Sequence, residues 1–186
     1  NIPSEEVFTS PISGKAEGIV YSTKPLSYQG EVIENFSIRF EGGKAVEVKA
    51  EKGQNLLKEM IKMDKGANML GEVALVPFES PINKTGLLFF NTLYDENAVC
   101  HLALGHGFTT TVLGCENMTQ EEMYKMGVND SNIHVDFMVG TEDLNIQAVF
   151  TAVKKHRSPL KVFSNFDNFL SKSFKSLYEH LFLLIR

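Results

Sequence analysis

The chain has 186 residues, 43% of them apolar, and a net charge of −5 at pH 7, a composition typical of one globular domain with a sizeable core. Residues 1–150 hold 21 acidic and 11 basic side chains, an excess that argues against a nucleic-acid-binding surface and suits a site for metal cations. No apolar run approaches the roughly 20 residues of a membrane-spanning helix, and two cysteines without metal-finger spacing are typical of reduced thiols in a cytosolic protein.

The first part of the chain predicts β-strands followed by one helix. Residues 17–23, 31–40 and 44–51 are rich in β-forming side chains, and the Glu-Gly-Gly-Lys sequence at 41–44 predicts a tight hairpin between the last two. Residues 54–64 carry apolar side chains at helical spacing and predict an amphipathic helix.

Strands and helices alternate in the second part. Residues 71–77 and 86–91 predict buried strands, and residues 95–104 predict a helix capped by an aspartate. Residues 119–126 begin with a capping box and predict a short helix, and residues 133–139 predict a final strand. The chain is therefore predicted to have an α+β fold, with a mainly antiparallel or mixed sheet and short helices.

His134 and Asp136 are the clearest candidates for a functional pair. They lie two residues apart in a predicted strand, so both side chains project from the same face. Burial of an unpaired imidazole and carboxylate is costly, and the pair must therefore have a partner. A metal ion satisfies both groups, and a direct ion pair between them does so equally well.

Other acidic and imidazole groups also adjoin apolar runs. His101 lies in an apolar segment and is either a core residue or a ligand. Glu96 would lie about 140° from His101 around a helix and is either a first-turn acid or a ligand. Glu72 opens a buried strand, while Glu5 and Glu6 are surface acids or ligands. Carboxylates and imidazoles at strand and helix ends suit a divalent metal, so their number predicts a metal-dependent hydrolase.

Four segments in the same order carry a specific resemblance. Residues 1–9, 71–77, 93–105 and 133–140 closely resemble the C-terminal catalytic half of the thermophilic aminopeptidase family, the aminopeptidase T and aminopeptidase S group. The resemblance implies a metallo-aminopeptidase catalytic domain over residues 1–150, acting on peptide substrates with two divalent ions, zinc or cobalt, with magnesium or manganese as alternatives. It also implies a cytoplasmic homodimer.

The same resemblance implies a ligand set and a mechanism. Two adjacent cations would activate a shared water and polarise the scissile carbonyl, with Glu72 as the bridge between them. Adjacency rather than the resemblance suggests Glu5, the only unassigned acid beside a ligand, as the group that carries the proton to the leaving amine. The implied metal ligands are Glu6, Glu72, Glu96, His101, His134 and Asp136.

Two departures from the family pattern bear on activity. The family has a tyrosine seven residues after the histidine of the third segment, whereas this chain has Phe108. The family also has an N-terminal α/β domain, and its C-terminus does not resemble residues 151–186. A catalytically impaired metal-binding or dimerisation fragment is therefore the alternative function.

Residues 151–186 differ from the rest in charge, with two acidic and seven basic side chains. Their apolar residues recur at steps of three and four, which predicts a helix. This helix would be a packed terminal element, a sequence foreign to the protein or, with less support, an amphipathic membrane-surface helix.

Overall fold

The computed structural model describes residues 6–150 and 181–185, with side-chain surroundings for residues 6–146. The chain divides into two compact units between Thr141 and Glu142. The elements in chain order are β1 (Val7–Thr9), β2 (Gly18–Tyr21), β3 (Leu26–Tyr28), β4 (Glu31–Glu41), β5 (Lys44–Lys52), α1 (Gln54–Met60), β6 (Leu70–Leu75), α2 (Pro81–Lys84), α3 (Thr92–Asp95), β7 (His101–Gly105), α4 (Gln120–Lys125), β8 (His134–Met138), β9 (Ile146–Phe150) and β10 (Leu181–Ile185). Three short 3-10 turns lie at Glu96–Ala98, Thr109–Thr111 and Cys115–Asn117.

A four-stranded antiparallel sheet, in the order β1-β6-β7-β8, carries the candidate site. Strand β7 is buried along its whole length. One face of the sheet holds core side chains, among them Leu102, Leu104 and Phe137, none of which is more than 2% exposed. The other face carries the polar side chains described below. The α+β class with antiparallel sheets and short helices is as predicted.

A second antiparallel sheet is built around β4, which pairs with β2, β3 and β5. The predicted hairpin is confirmed, because Glu41 pairs with Lys44 across two glycines whose φ values of 56° and 77° suit a type I′ turn. Phe36 of β4 packs on Phe137 of β8, with ring centroids 5.8 Å apart. This contact joins the two sheets in one core.

The helices are short, and two of them agree with the prediction at their start. Helix α4 has the predicted capping box between Thr119 and Glu122. Helix α1 begins as predicted but ends at Met60 rather than at residue 64. The Asp64 carboxylate instead accepts hydrogen bonds from two backbone N–H groups of the following turn, which stabilises a non-helical conformation there.

The strand predicted for residues 86–91 is wrong, since this segment has no regular structure. Leu87 and Phe90 are each 63% exposed, so the apolar run does not face the core. The Asp95 carboxylate accepts hydrogen bonds from the backbone N–H groups of Phe89 and Asn91, which would otherwise be available to a sheet. The apolar composition therefore misled the prediction.

The helix predicted for residues 95–104 is also wrong. The chain makes a 3-10 turn at Glu96–Ala98, becomes extended at Val99 and enters the sheet as β7. His101 is thus a strand residue, paired with Ala74 on one side and Met138 on the other. A strand buried on both faces has a continuous apolar sequence, which resembles that of a buried helix.

The second unit contains a two-stranded antiparallel sheet of β9 and β10, in which Ile146 pairs with Ile185. Residues 151–180, where most of the C-terminal helix was predicted, lie outside the described residues, and residues 181–185 form a strand. Within the part of the chain that the structure describes, no helix has the length and apolar character that crossing a bilayer requires.

Candidate metal centre

Three residues that pair across neighbouring strands lie at the centre of the polar face of the first sheet, the face opposite the core side chains. Glu72 of β6 pairs with Ala103 of β7, which pairs in turn with Asp136 of β8. Directly paired residues in antiparallel strands project from the same face, so the two carboxylates flank a methyl group. All three residues are at most 4% exposed. The small side chain of Ala103 leaves space between the carboxylates.

His134 completes one side of this row, on the same face as Asp136. Its Nε2 lies 3.1 Å from Glu72 Oε2 and 3.2 Å from Asp136 Oδ1. Its Nδ1–H donates to the backbone carbonyl of His106 at 2.7 Å, which directs Nε2 towards the two carboxylates. The direct ion pair considered from the sequence is therefore present, and it includes Glu72 as well.

His101 and Glu6 lie on the other side of Glu72. The His101 ring is 1% exposed, its Nδ1 is 3.1 Å from the Val99 carbonyl, and its Nε2 is 3.7 Å from Glu6 Oε1. The carbonyl can only accept, so Nδ1 carries the hydrogen and Nε2 is left to face the carboxylates. Glu6 and His101 thus come together although 95 positions separate them in the chain.

Glu96 adds a further buried carboxylate, from the 3-10 turn that precedes β7. Burial, together with the nearby charges of Asp136, Glu6 and Glu72, raises the pKa of Glu96 to about 8, and the carboxyl shares a hydrogen bond with Asp136. Burial and the Asp136 charge also raise the pKa of Glu72. Without a cation, this cluster therefore retains protons at neutral pH.

The contact between the His134 imidazole and the Asp136 carboxyl shifts the pKa of both groups. Burial lowers the pKa of His134, but hydrogen bonds to Asp136 and Glu72 outweigh it and raise the pKa to about 10. Burial alone would raise the pKa of Asp136, but the contact with His134 outweighs burial, and the pKa is lowered. In the absence of metal, the His134 imidazole therefore carries a positive charge at neutral pH.

Two groups of side chains have the spacing of metal sites. Glu6, Glu72 and His101 form one group and Glu72, His134 and Asp136 the other, and within each group the ligand atoms lie within 4.8 Å of one another. Among the described residues, the buried His101 Nε2 has no hydrogen-bond partner. Buried polar atoms are normally satisfied, so this atom fits a bound cation.

A cavity of about 600 Å³ opens beside these groups. Phe108 lies in its wall, with its ring centroid 4.9 Å from that of His134 and 5.1 Å from that of Phe8. A phenyl ring carries no hydroxyl, so Phe108 presents only apolar surface to the cluster. The cavity also borders Glu96 and the exposed Leu93.

Most of the residues selected from the sequence converge here, and one is not described. Glu5 lies outside the described residues. Sequence reasoning missed the contributions of Ala103, the His106 carbonyl and Leu93. Pairing of Ala103 between two acidic positions depends on strand register, and a backbone carbonyl has no sequence signal. The exposure of Leu93 was concealed by the apolar run that precedes it.

Comparisons with known proteins agree on one group. The family model described as "Thermophilic metalloprotease (M29)" matches residues 1–163. Aminopeptidase AmpS of Bacillus subtilis (strain 168) is 52% identical over 149 residues, and aminopeptidase T of Thermus aquaticus is 47% identical over 149 residues. Each alignment covers 80% of this chain and 36% of the relative. The chain thus spans about a third of the length of these relatives.

A solved structure agrees with this result. Wild-type AmpT from Thermus thermophilus superimposes with a TM-score of 0.69 at 48% identity, covering 76% of this chain and 34% of that chain.

Proposed function

Since this chain belongs to the thermophilic metalloprotease (M29) family, we propose that it is the metal-binding catalytic part of an aminopeptidase that releases N-terminal residues from peptides. Membership of a metalloprotease family implies a divalent metal, and the relatives are named aminopeptidases. The observation that carries the proposal is the pair of three-residue ligand groups that share Glu72.

In this proposal the two groups would hold two divalent cations, and Glu72 belongs to both groups. Glu6 and His101 serve one cation, and His134 and Asp136 serve the other. Glu96 belongs to the same set through its hydrogen bond with Asp136. Carboxylate and imidazole donors without thiolate suit zinc, cobalt, manganese or magnesium, with zinc or cobalt favoured by the two histidines.

The side chains would prepare the site before any substrate arrives. Bound divalent ions would activate a water, polarise the scissile carbonyl and hold the free α-amine of a peptide. The His106 and Val99 carbonyls orient the two imidazoles so that each Nε2 faces the carboxylates. Glu5, outside the described residues, remains the predicted proton carrier to the leaving amine, and a Glu5→Gln variant with undiminished turnover would remove that role.

The proposal is tested by metal binding and by exopeptidase activity measured on the same preparation. Titration of the EDTA-treated chain with zinc or cobalt should give two ions per chain. Leu-p-nitroanilide should be cleaved and its N-acetylated form should not, because the free amine is needed. Asp136→Asn should reduce both metal content and activity, whereas Glu116→Gln, an exposed carboxylate, should change neither. An Asp136→Asn variant with normal metal content would contradict the ligand assignment.

A second function is favoured by one observation, the absence of a hydroxyl at Phe108 beside His134. On this alternative the chain is an impaired metal-binding or dimerisation module. It would bind two ions without turnover, so the metal titration and the activity assay separate the two candidates. The homodimer, the cytoplasmic location and the catalytic domain over residues 1–150 remain predictions that rest on the resemblance.

A further inference from the structure

The cavity has walls of two kinds. It lies beside the ligand cluster, by which we mean the six proposed metal ligands Glu6, Glu72, Glu96, His101, His134 and Asp136. Among the described residues that line the cavity, those with a carboxyl or imidazole group are all members of the proposed ligand set. The remaining lining residues are neutral, and Phe8, Leu93 and Phe108 contribute apolar surface. A group that enters from the ligand cluster thus meets walls without a free charge.

Leu93 is distinctive among these wall residues because it is 71% exposed and yet firmly held. Its backbone N–H donates to Asn91 Oδ1 at 3.1 Å, and its carbonyl accepts from Asn97 Nδ2 at 2.9 Å. Asn97 is 1% exposed and adjoins Glu96, one of the proposed ligands. Both peptide groups of Leu93 are therefore fixed by side chains relative to the ligand cluster.

The segment that precedes Leu93 is also held at a cost. Phe90 has a φ of 57°, a left-handed conformation that is unfavourable for a bulky side chain. The buried Asp95 carboxylate stabilises it through the N–H groups of Phe89 and Asn91. Strain that the surroundings maintain in this way clusters at ligand-binding sites. The fold therefore holds in place the backbone that carries the Leu93 side chain beside the cavity.

We propose that Leu93 is a specificity-determining residue that contacts the side chain of the first substrate residue and favours apolar side chains. The inference rests on the proposed function, in which the free α-amine lies at the ligand cluster. A substrate side chain would then extend along the neutral wall. An apolar group gains from burial against Leu93, whereas a charged group loses hydration without acquiring a partner.

Binding of amino acid hydroxamates to the zinc-loaded full chain tests the inference without requiring turnover. By calorimetry, leucine hydroxamate should bind at least roughly tenfold more tightly than glycine hydroxamate, and lysine hydroxamate should bind more weakly than the leucine compound. Leu93→Ala should remove most of the leucine advantage and leave glycine binding unchanged. Leu93→Met should retain the advantage, and Leu93→Glu should favour lysine. Leu87→Ala, at an equally apolar position that does not line the cavity, is the matched control.

The outcomes separate this inference from the proposed function. If zinc binds but the three hydroxamates bind equally, or if Leu93→Ala keeps the wild-type ratio, the specificity role is overturned and the metal site stands. A preference for lysine in the wild-type chain also overturns it. If the chain binds no zinc, the proposed function fails and the inference falls with it.

Discussion

Replacement of Glu72 by glutamine should have opposite consequences with and without metal. Glu72 is 3% exposed and belongs to both ligand groups, so its loss should weaken binding of both proposed ions. Its raised pKa means that folding disfavours the ionised side chain when no cation is present. A neutral glutamine of the same shape should therefore leave the metal-free fold as stable as the wild type, or more stable.

The magnitude in the presence of zinc follows from mass action. At a zinc concentration a thousand times the dissociation constant of a site, the ion bound there stabilises the wild-type chain by about 4.1 kcal/mol. A hundredfold loss of affinity at one site reduces this to about 1.4 kcal/mol, a difference of about 2.7 kcal/mol. For a folded unit of this size, that corresponds to a Tm lower by about 8 °C.

Differential scanning calorimetry of both proteins, with EDTA and then with zinc, measures the two effects. Glu72→Gln should keep or raise the Tm in EDTA and lose most of the zinc-dependent increase. Glu116→Gln, which changes an exposed carboxylate, should behave as the wild type. The reasoning is refuted if Glu72→Gln lowers the Tm in EDTA while its increase with zinc remains normal, since Glu72 would then be an ordinary structural carboxylate.

Three further predictions follow from the same geometry. Phe108→Tyr should raise turnover of Leu-p-nitroanilide by about a hundredfold if a hydroxyl next to His134 stabilises the transition state, and unchanged kcat would exclude that role. Ala103→Val should abolish metal binding measured by calorimetry, because Ala103 separates two ligand carboxylates. Leu102→Ala, on the core face, should lower the unfolding free energy by about 2–5 kcal/mol and retain the metal. The reverse pattern would contradict the assignment of faces. The pKa of Glu96 is raised from 4.5 to about 8, and that of His134 from 6.5 to about 10. At any pH between the ordinary and the raised pKa of either group, the folded metal-free chain therefore binds more protons than the unfolded chain. Its Tm should fall from pH 5.5 to 8.5, the zinc-dependent increase should grow with pH, and zinc binding should release protons; a flat profile in EDTA would be inconsistent with these shifts.

Local patterns in the sequence predicted the features that depend on near neighbours. The side-chain period of two placed His134 and Asp136 on one face, and the double glycine at residues 42–43 predicted the hairpin that the structure contains. The capping box before α4 was equally local. Each of these features depends on a few consecutive residues, and the physics that determines it acts within that range.

Convergence of the site could not be predicted from spacing, because it depends on the pairing of distant strands. The register of β6 against β7, with an irregularity between Leu70 and Glu72, brings Glu72 opposite Ala103. His101 was assigned to a helix because a strand covered on both faces shows no alternation. Only the resemblance, which carries three-dimensional information from the family, grouped these residues before the structure did.

The hydrogen bond between His134 and the carbonyl of position 106 has an evolutionary consequence. Any amino acid at position 106 supplies the same carbonyl, so the acceptor that orients the His134 ring does not depend on the type of side chain there. The constraint falls instead on Gly71, where a β-carbon would lie 2.3 Å from the same carbonyl oxygen. A substitution there would push aside the acceptor that orients the ring. Intolerance to mutation should thus appear at a glycine that offers no functional group of its own.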